Sequence, residues 1–325
     1  MDYEIIDCID CGTEYCPCHL ALSGDCILCS HLQGHEFCDC KNWHGVCIYK
    51  ELFDNGFKAK EGRKTYRCKI LNKTLLEENL LELRVLVTKA LAESLNVPGS
   101  YVFMRAPNDN LYYDTPISIM DVDDENNIIS FVIELKGIKT KSISNLNEHD
   151  DILLRAPYWN GVLGLKNLNK VHDKNVLIIS RGIGFAPMMP VLKKLYAKGN
   201  NISLILDKGT FKTNYIDELI NKYNITPIYM NTIDKGELPK ALKDYLTINK
   251  FDLIHIDGPD ILISNIITYN DDSTSYSCCN NAKMCCGEGI CGACTSRYKG
   301  HVVKRLCKVQ VDPKFIFEGR RLIWR

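Results

Sequence analysis

The stretch Asn175-Val-Leu-Ile-Ile-Ser-Arg-Gly-Ile-Gly-Phe-Ala-Pro187 decides the fold of the larger part of this chain. Asn175–Ser180 is a short apolar run of the kind that fills a strand buried on both faces. Arg181, Gly182, Ile183 and Gly184 then turn the chain, and Phe185-Ala186-Pro187 opens a helical stretch to about Lys198. Free N–H groups at the start of such a helix suit a pyrophosphate, although a glycine turn after a strand also serves as a plain tight connection.

Outward toward the C-terminus, strand-like and helical patterns alternate. Asn201–Asp207, Thr226–Met230 and Asp252–Asp257 read as strands, with helices near 214–223 and 238–246 between them. That alternation predicts a parallel sheet with helices on its faces. Asp207 ends a strand about where an acidic residue would read a ribose 2′-hydroxyl. It also fits a solvated strand end. Asp257-Gly258-Pro259 ends another strand, where ligands of open α/β sheets bind; the bland reading is a turn.

Toward the N-terminus the pattern changes. Thr65–Leu71, Leu80–Thr88, Ser100–Ala106, Pro116–Val122, Ile128–Leu135 and Ile152–Ala156 are short strand-like runs separated by turn-forming residues. They predict an antiparallel barrel or sandwich. Within it, Thr115-Pro116-Ile117-Ser118-Ile119 and Gly137-Ile-Lys-Thr140 are by themselves only a strand and a polar turn.

Cysteines mark both ends. Of seventeen, nine fall from Cys8 to Cys47 and seven from Cys278 to Cys307. Cys286-x4-Cys291-x2-Cys294, with Cys307 following, puts three thiolates on a glycine-rich loop and a fourth on a later strand, a set that can surround a 2Fe–2S cluster. A zinc site or buried free thiols is the plainer alternative. Cys285, adjacent to Cys286, leaves the first ligand ambiguous. At the other end Cys8, Cys11, Cys16, Cys18, Cys26, Cys29, Cys38, Cys40 and Cys47 lie in a segment with little apolar pattern, so metal is expected to supply its folding energy. Nine thiols furnish two four-ligand sites with one left over, or one site plus structural thiols. Cys16-Pro17 and the redox context point to iron–sulfur. The Cys-x2-Cys pairs and His19, His31, His35 and His44 point to zinc.

Formal net charge is zero, so nothing global draws the chain to nucleic acid or an anionic membrane. No apolar run reaches bilayer length, and Met1–Asp10 lacks a signal-peptide pattern. The expected location is the cytoplasm, where dense cysteines bind metal or do redox chemistry. Neither a Ser–His–Asp set nor a carboxylate pair stands out.

Together these motifs resemble the ferredoxin–NADP⁺ reductase superfamily, nearest to the electron-transfer subunit of B-type dihydroorotate dehydrogenase and sulfide dehydrogenase-like proteins, over roughly residues 62–325. The resemblance implies a multidomain chain. A Cys-rich metal-binding module at 1–60 precedes an antiparallel β-barrel FAD domain at 61–168. An α/β Rossmann-like nicotinamide domain at 169–270 and a 2Fe–2S domain at 271–325 follow. Pro116, Ile117 and Ser118 would line the isoalloxazine, with the Ser118 hydroxyl near flavin N5. Gly137, Thr140 and Lys141 would hold the FAD pyrophosphate, and Asn160-Gly161 would close the barrel near the flavin. Gly182, Gly184, Ala186 and Pro187 would face the dinucleotide, with Gly258 and Pro259 flanking the nicotinamide.

Three positions depart from the family pattern. Thr115 stands where Arg is frequent. Arg181 replaces a glycine, where it could grip the pyrophosphate or fill its space. Asp257 takes the place of a cysteine beside the hydride-transfer site, where its charge would favour NAD⁺ over NADH. The segment 231–238 is also short. The implied function is an oxidoreductase subunit that passes electrons between NAD(P)H, FAD, a 2Fe–2S cluster and a redox partner or catalytic subunit. A non-catalytic redox sensor or docking protein on the same fold is the alternative.

Overall fold

In the computed structural model, residues 7–40, 42–270, 273–297 and 303–317 are described; the ends of the expected first and last domains lie outside them. The chain forms two compact units. Of the described residues, one unit holds Thr65–Asn281 and the other joins those up to Lys64 with those from Ala282 to Phe317.

In the first unit, seven antiparallel strands run in the order Thr115–Ser118, Tyr101–Arg105, Asp151–Tyr158, Thr65–Glu77, Leu80–Leu86, Ile128–Glu134, Asp121–Asp123. The two edge strands are consecutive in the chain. Between them, Ile119 N–H donates to Ser100 C=O at 3.1 Å and Met120 N–H to Ser130 C=O at 3.0 Å. This corner carries the chain from one end of the sheet to the other and bends the sheet round into a barrel. Alternation then fills the interior: Leu81, Leu83 and Val85 point inward with Val102, Met104 and Phe131. Strand Thr65–Glu77 exceeds the expected run because irregularities at Ile70/Asn72 and Leu75/Glu77 let it bend without ending.

The α/β part places Ile228–Tyr229, Asn201–Asp207, Asn175–Arg181, Leu253–Asp257 and Ser275–Cys279 side by side and parallel, with Val162–Leu163 antiparallel at the edge. Counted in chain order, the parallel strands read 3-2-1-4-5. The order therefore reverses between Asn175–Arg181 and Leu253–Asp257, and ligands of open α/β sheets bind at that reversal. Ser275–Cys279 belongs to this sheet, which corrects the expectation that the chain beyond residue 270 serves the cluster domain; Tyr276 and Cys278 are fully buried between sheet and helices.

In the second unit the two cysteine-rich ends of the chain, read as separate modules from sequence, pack together. Asp7–Cys8 pairs antiparallel with Val309–Gln310, and Ile9 N–H donates to Lys308 C=O at 2.9 Å. Among the described residues no helix is long and apolar enough to cross a membrane.

Candidate functional site

The reversal point brings together two of the expected segments. Strand Asn175–Arg181 delivers Gly182–Gly184 and the helix Phe185–Ala197, whose first turn accepts Pro187 because no intrahelical N–H is lost there. Ala186 is buried in the same turn. Gly182 has φ +59°, a left-handed value that a side chain resists. A Cβ on Gly184 would lie 2.6 Å from the Asp257 carbonyl oxygen, so glycine there lets the two strand ends meet. Gly258 is similarly tight, with Leu262 at 2.9 Å from its virtual Cβ, and Pro259 caps the following helix Asp260–Tyr269.

Two side chains at this point differ from expectation. Arg181 and Asp207 are register partners on adjacent strands and form an ion pair. The Asp207 carboxylate also accepts Thr232 N–H at 2.7 Å, Thr232 Oγ1 at 2.8 Å and Gly209 N–H at 2.9 Å. It is thus spent on its own loops and on holding Arg181, rather than presented to a ribose. Asp257 is fully buried. Its Oδ2 lies 2.6 Å from His255 Nε2, and His255 Nδ1 lies 2.8 Å from Ser277 Oγ. The carboxylate therefore points into the sheet, and its charge does not face a crevice ligand as the sequence suggests.

Sequence reasoning missed a thiol here. Cys279 lies opposite Asp257 on the neighbouring strand, and its Sγ is 3.4 Å from both Gly258 N and Gly258 O. Burial pushes this thiol well above its ordinary pKa, and Asp257 adds to the effect. A cysteine thus stands in space beside the backbone of Gly258, next to Asp257. The signal was present in Cys278-Cys279, but those residues read as part of the cluster cysteines.

On the barrel, Thr115–Ser118 pairs with Tyr101–Arg105, leaving Pro116 exposed, Ile117 buried in the core and Ser118 half-buried. Beside Thr115, buried Asp114 accepts Arg105 Nη1 at 2.5 Å and Arg155 Nε at 2.9 Å. Positive charge missing at position 115 is therefore supplied from two neighbouring strands, although Asp114 engages it. Gly137 caps the helix Ile138–Ser144. Thr140 Oγ1 accepts Lys136 N–H at 3.1 Å and Gly137 N–H at 3.3 Å, while Lys141 and Gly137 are exposed. Asn160 is buried, and Asn280 Nδ2 donates to its carbonyl at 2.7 Å. Gly161 N–H donates to Gly99 C=O at 2.8 Å, and a Cβ on Gly161 would sit 2.7 Å from that oxygen. The barrel end and the α/β sheet meet through this glycine contact.

In the second unit, Gly287, Gly289 and Gly292 all have left-handed φ, and the loop they shape turns N–H groups onto sulfur. Cys286 Sγ accepts from Glu288 N at 3.3 Å and Cys291 N at 3.4 Å; Cys291 Sγ accepts from Ala293 N at 3.5 Å. The Cys291 thiol hydrogen-bonds those of both Cys286 and Cys285, so the first position stays open between them, and the Cys294 thiol hydrogen-bonds that of Cys307. The bond from Cys307 holds the Cys294 thiol well below its ordinary range.

Behind the loop lies a buried ion network. Arg63 Nη1 contacts Asp10 Oδ2 at 2.8 Å and Glu288 Oε2 at 2.9 Å, while Lys308 Nζ contacts Glu288 Oε2 at 3.1 Å and pairs with Asp10. Burial would raise the Glu288 carboxyl, but Lys308 and Arg63 outweigh it and hold the group down at about 2.

The nine N-terminal thiols line two pockets. Cys8, Cys11, Cys16, Cys18 and Cys26 line one; Cys11, Cys29, Cys38, Cys40 and Cys47 line the other. Among the described residues no three His, Cys, Asp or Glu side chains form a ready ligand set for a single ion.

No family model matches the chain. It is 31% identical over 217 residues to the electron-transfer subunit of dihydroorotate dehydrogenase B (NAD⁺) of Clostridium acetobutylicum, covering 65% of this chain and 81% of that one. The subunit of the same name from Listeria innocua is 24% identical over 251 residues, covering 76% and 95%. A solved NADH-dependent reduced ferredoxin–NADP oxidoreductase, described in work on flavin-based electron bifurcation, superposes with a TM-score of 0.60 over 78% of this chain and 90% of that one, at 20% identity. That likeness speaks to the fold.

Proposed function

The chain belongs to the ferredoxin–NADP⁺ reductase superfamily, on the branch of the dihydroorotate dehydrogenase B electron-transfer subunits, and from that premise we propose that it passes electrons between a nicotinamide dinucleotide, FAD, a 2Fe–2S cluster and a partner protein. The observation that carries this reading is the meeting of Gly182–Gly184 with Asp257–Pro259 at the strand-order reversal of an α/β sheet joined to a barrel. FAD supplies the junction between two-electron hydride chemistry and single electrons.

The chain's own residues have distinct tasks in this scheme. Pro116 and Ser118, on the outward face of their strand, would flank the isoalloxazine while Ile117 anchors that strand in the core, and the turn from Gly137 to Lys141 would receive the pyrophosphate through helix N–H groups and the lysine charge. Gly182, Gly184, Ala186 and Pro187 would admit the dinucleotide backbone, with Arg181 at the mouth as a cation and Gly258 and Pro259 beside the nicotinamide. The Cys279 thiol, kept protonated by burial, would border the same place. Cys286 with Cys291, and Cys294 with Cys307, would each hold one iron.

The test is anaerobic preparation, reconstitution with excess FAD or FMN, and mixing with NADH or NADPH. Release of FAD on denaturation and its reduction by a nicotinamide support the reading; no retained flavin defeats it. A retained flavin that neither nucleotide reduces favours a redox sensor or docking role. That second reading draws on the Arg181–Asp207 pair, which ties up two polar groups at the crevice.

A further inference from the structure

We propose that the N-terminal segment carries two iron–sulfur clusters of its own, the inner one wired directly to the C-terminal cluster loop. The thiols divide in space. Cys29, Cys38, Cys40 and Cys47 line the outer pocket and not the inner one. The inner pocket takes Cys8, Cys16, Cys18 and Cys26, with Cys11 in the wall between the pockets, where its thiol hydrogen-bonds that of Cys16. Apart from Asp10, which is paired with Arg63 and Lys308, and Tyr15, the remaining inner walls are apolar: Leu20, Ala21, Ile27, Leu28 and Ile48. Such walls keep water from sulfur, one of the factors that set a cluster's potential.

The donor set is thiol. Three of the four histidines that could complete a zinc site, His19, His31 and His35, are exposed and line neither pocket. The fourth, His44, lines the outer pocket but has its Nε2 2.7 Å from Asp7 Oδ1. Five thiols line each pocket, Cys11 being shared, which is a larger sulfur set than the four ligands of one zinc ion and one that clusters taking one or two cysteines per iron can use.

Position selects a redox metal over zinc. Cys8 adjoins Ile9, whose N–H donates to Lys308 C=O at 2.9 Å, and Lys308 adjoins Cys307. One hydrogen bond and a few covalent bonds thus connect a ligand of the inner set to a ligand of the C-terminal cluster. A second contact runs from Leu20, in the inner wall, to the loop glycine Gly289, whose virtual Cβ lies 3.1 Å from the Leu20 side chain. Cys38, Cys40 and Cys47 are exposed, so the outer set reaches the surface. Electrons would pass singly from the reduced C-terminal cluster to the inner and then the outer one, each donor being oxidised as the next is reduced, with no bond or proton moved. This order rests on the proposed role of the C-terminal cluster; the presence of N-terminal clusters does not.

The full-length chain, purified without oxygen, decides the matter by iron, acid-labile sulfide and zinc content. The expected result is iron and sulfide well above the two of each that a single 2Fe–2S cluster supplies, without stoichiometric zinc. Two or fewer irons per chain, or zinc at one or more per chain, overturns the proposal whatever the variants do. Cys291→Ser should abolish the two-iron EPR signal of reduced protein and keep the additional iron and sulfide. Loss of all iron in that variant also overturns the proposal, and survival of the two-iron signal overturns only the C-terminal assignment. Cys38→Ser with Cys40→Ser should lower iron and sulfide while the two-iron signal persists; unchanged iron in that double variant removes the outer site.

Discussion

Replacing Lys308 with Met removes one cation from a buried network that is neutral as it stands. Asp10 and Glu288 face Arg63 and Lys308, and these four side chains are between 0% and 13% exposed. In the variant, two carboxylates share one guanidinium. An ion pair at the 3.1 Å Lys308–Glu288 separation is worth about 5 kcal/mol gross at an effective dielectric of about 20. Part is returned because a lysine no longer has to be desolvated. The net loss expected is about 3–4 kcal/mol, in the range seen when one partner of a buried pair is removed. Hydrogen exchange reads this locally. Ile9 N–H, bonded to Lys308 C=O, and its neighbours should exchange about two to three orders of magnitude faster, while barrel amides stay as they are. Asp10→Asn with Lys308→Met restores charge balance and should recover most of the protection. Acceleration of less than about threefold in Lys308→Met, or a double variant worse than either single one, would refute the electrostatic account.

Gly184→Ala should lower the stability of the Thr65–Asn281 unit by about 1–3 kcal/mol, since its methyl group would meet the Asp257 carbonyl at 2.6 Å; thermal unfolding indistinguishable from the parent would contradict this. Asp257→Asn should cost about 1–3 kcal/mol by weakening the bond to His255, and denaturant titration measures it. Glu77 is held below its ordinary pKa by the backbone N–H groups of Thr213 and Lys212, at 2.6 and 2.7 Å. A depressed folded pKa contributes stability that is present above the unfolded value of about 4.3 and is lost as pH falls through the folded one. The stability gap between the parent and Glu77→Gln should therefore be full at pH 6 and shrink below about pH 4; a gap constant with pH would show that the carboxylate charge plays no part.

Local pattern made much of this molecule readable, and distance in sequence hid the rest. The buried run at 175–180 and the two-residue alternation of the barrel strands are local consequences of burial, and both appear where expected. Leu80–Thr88 shows where local reading stops. The strand ends at Leu86, and Thr88 instead caps the helix Lys89–Leu95, accepting Leu91 N–H at 3.4 Å; one threonine supports either assignment until the next apolar period is known. The site residues follow the same division. Gly182, Gly184 and Gly258 announce themselves because tight turns demand glycine, whereas Cys279 reaches Gly258 from 21 residues away by way of a neighbouring strand.

The far ends of the chain are the extreme case. Lys308 and Asp10, 298 residues apart, each look like an ordinary charged residue next to a cysteine. Their shared burial, with the pairing of Asp7–Cys8 and Val309–Gln310, reveals that the two cysteine segments form one unit. The cost of enclosing four charges is bearable because each finds an opposite partner, and the same enclosure fixes Glu288 on the cluster loop relative to Arg63 at the end of the N-terminal segment. The loop from Cys286 to Cys294 and the N-terminal thiols are therefore mechanically one object. A substitution that loosens the network should disturb both sets of cysteines together, without altering a single cysteine.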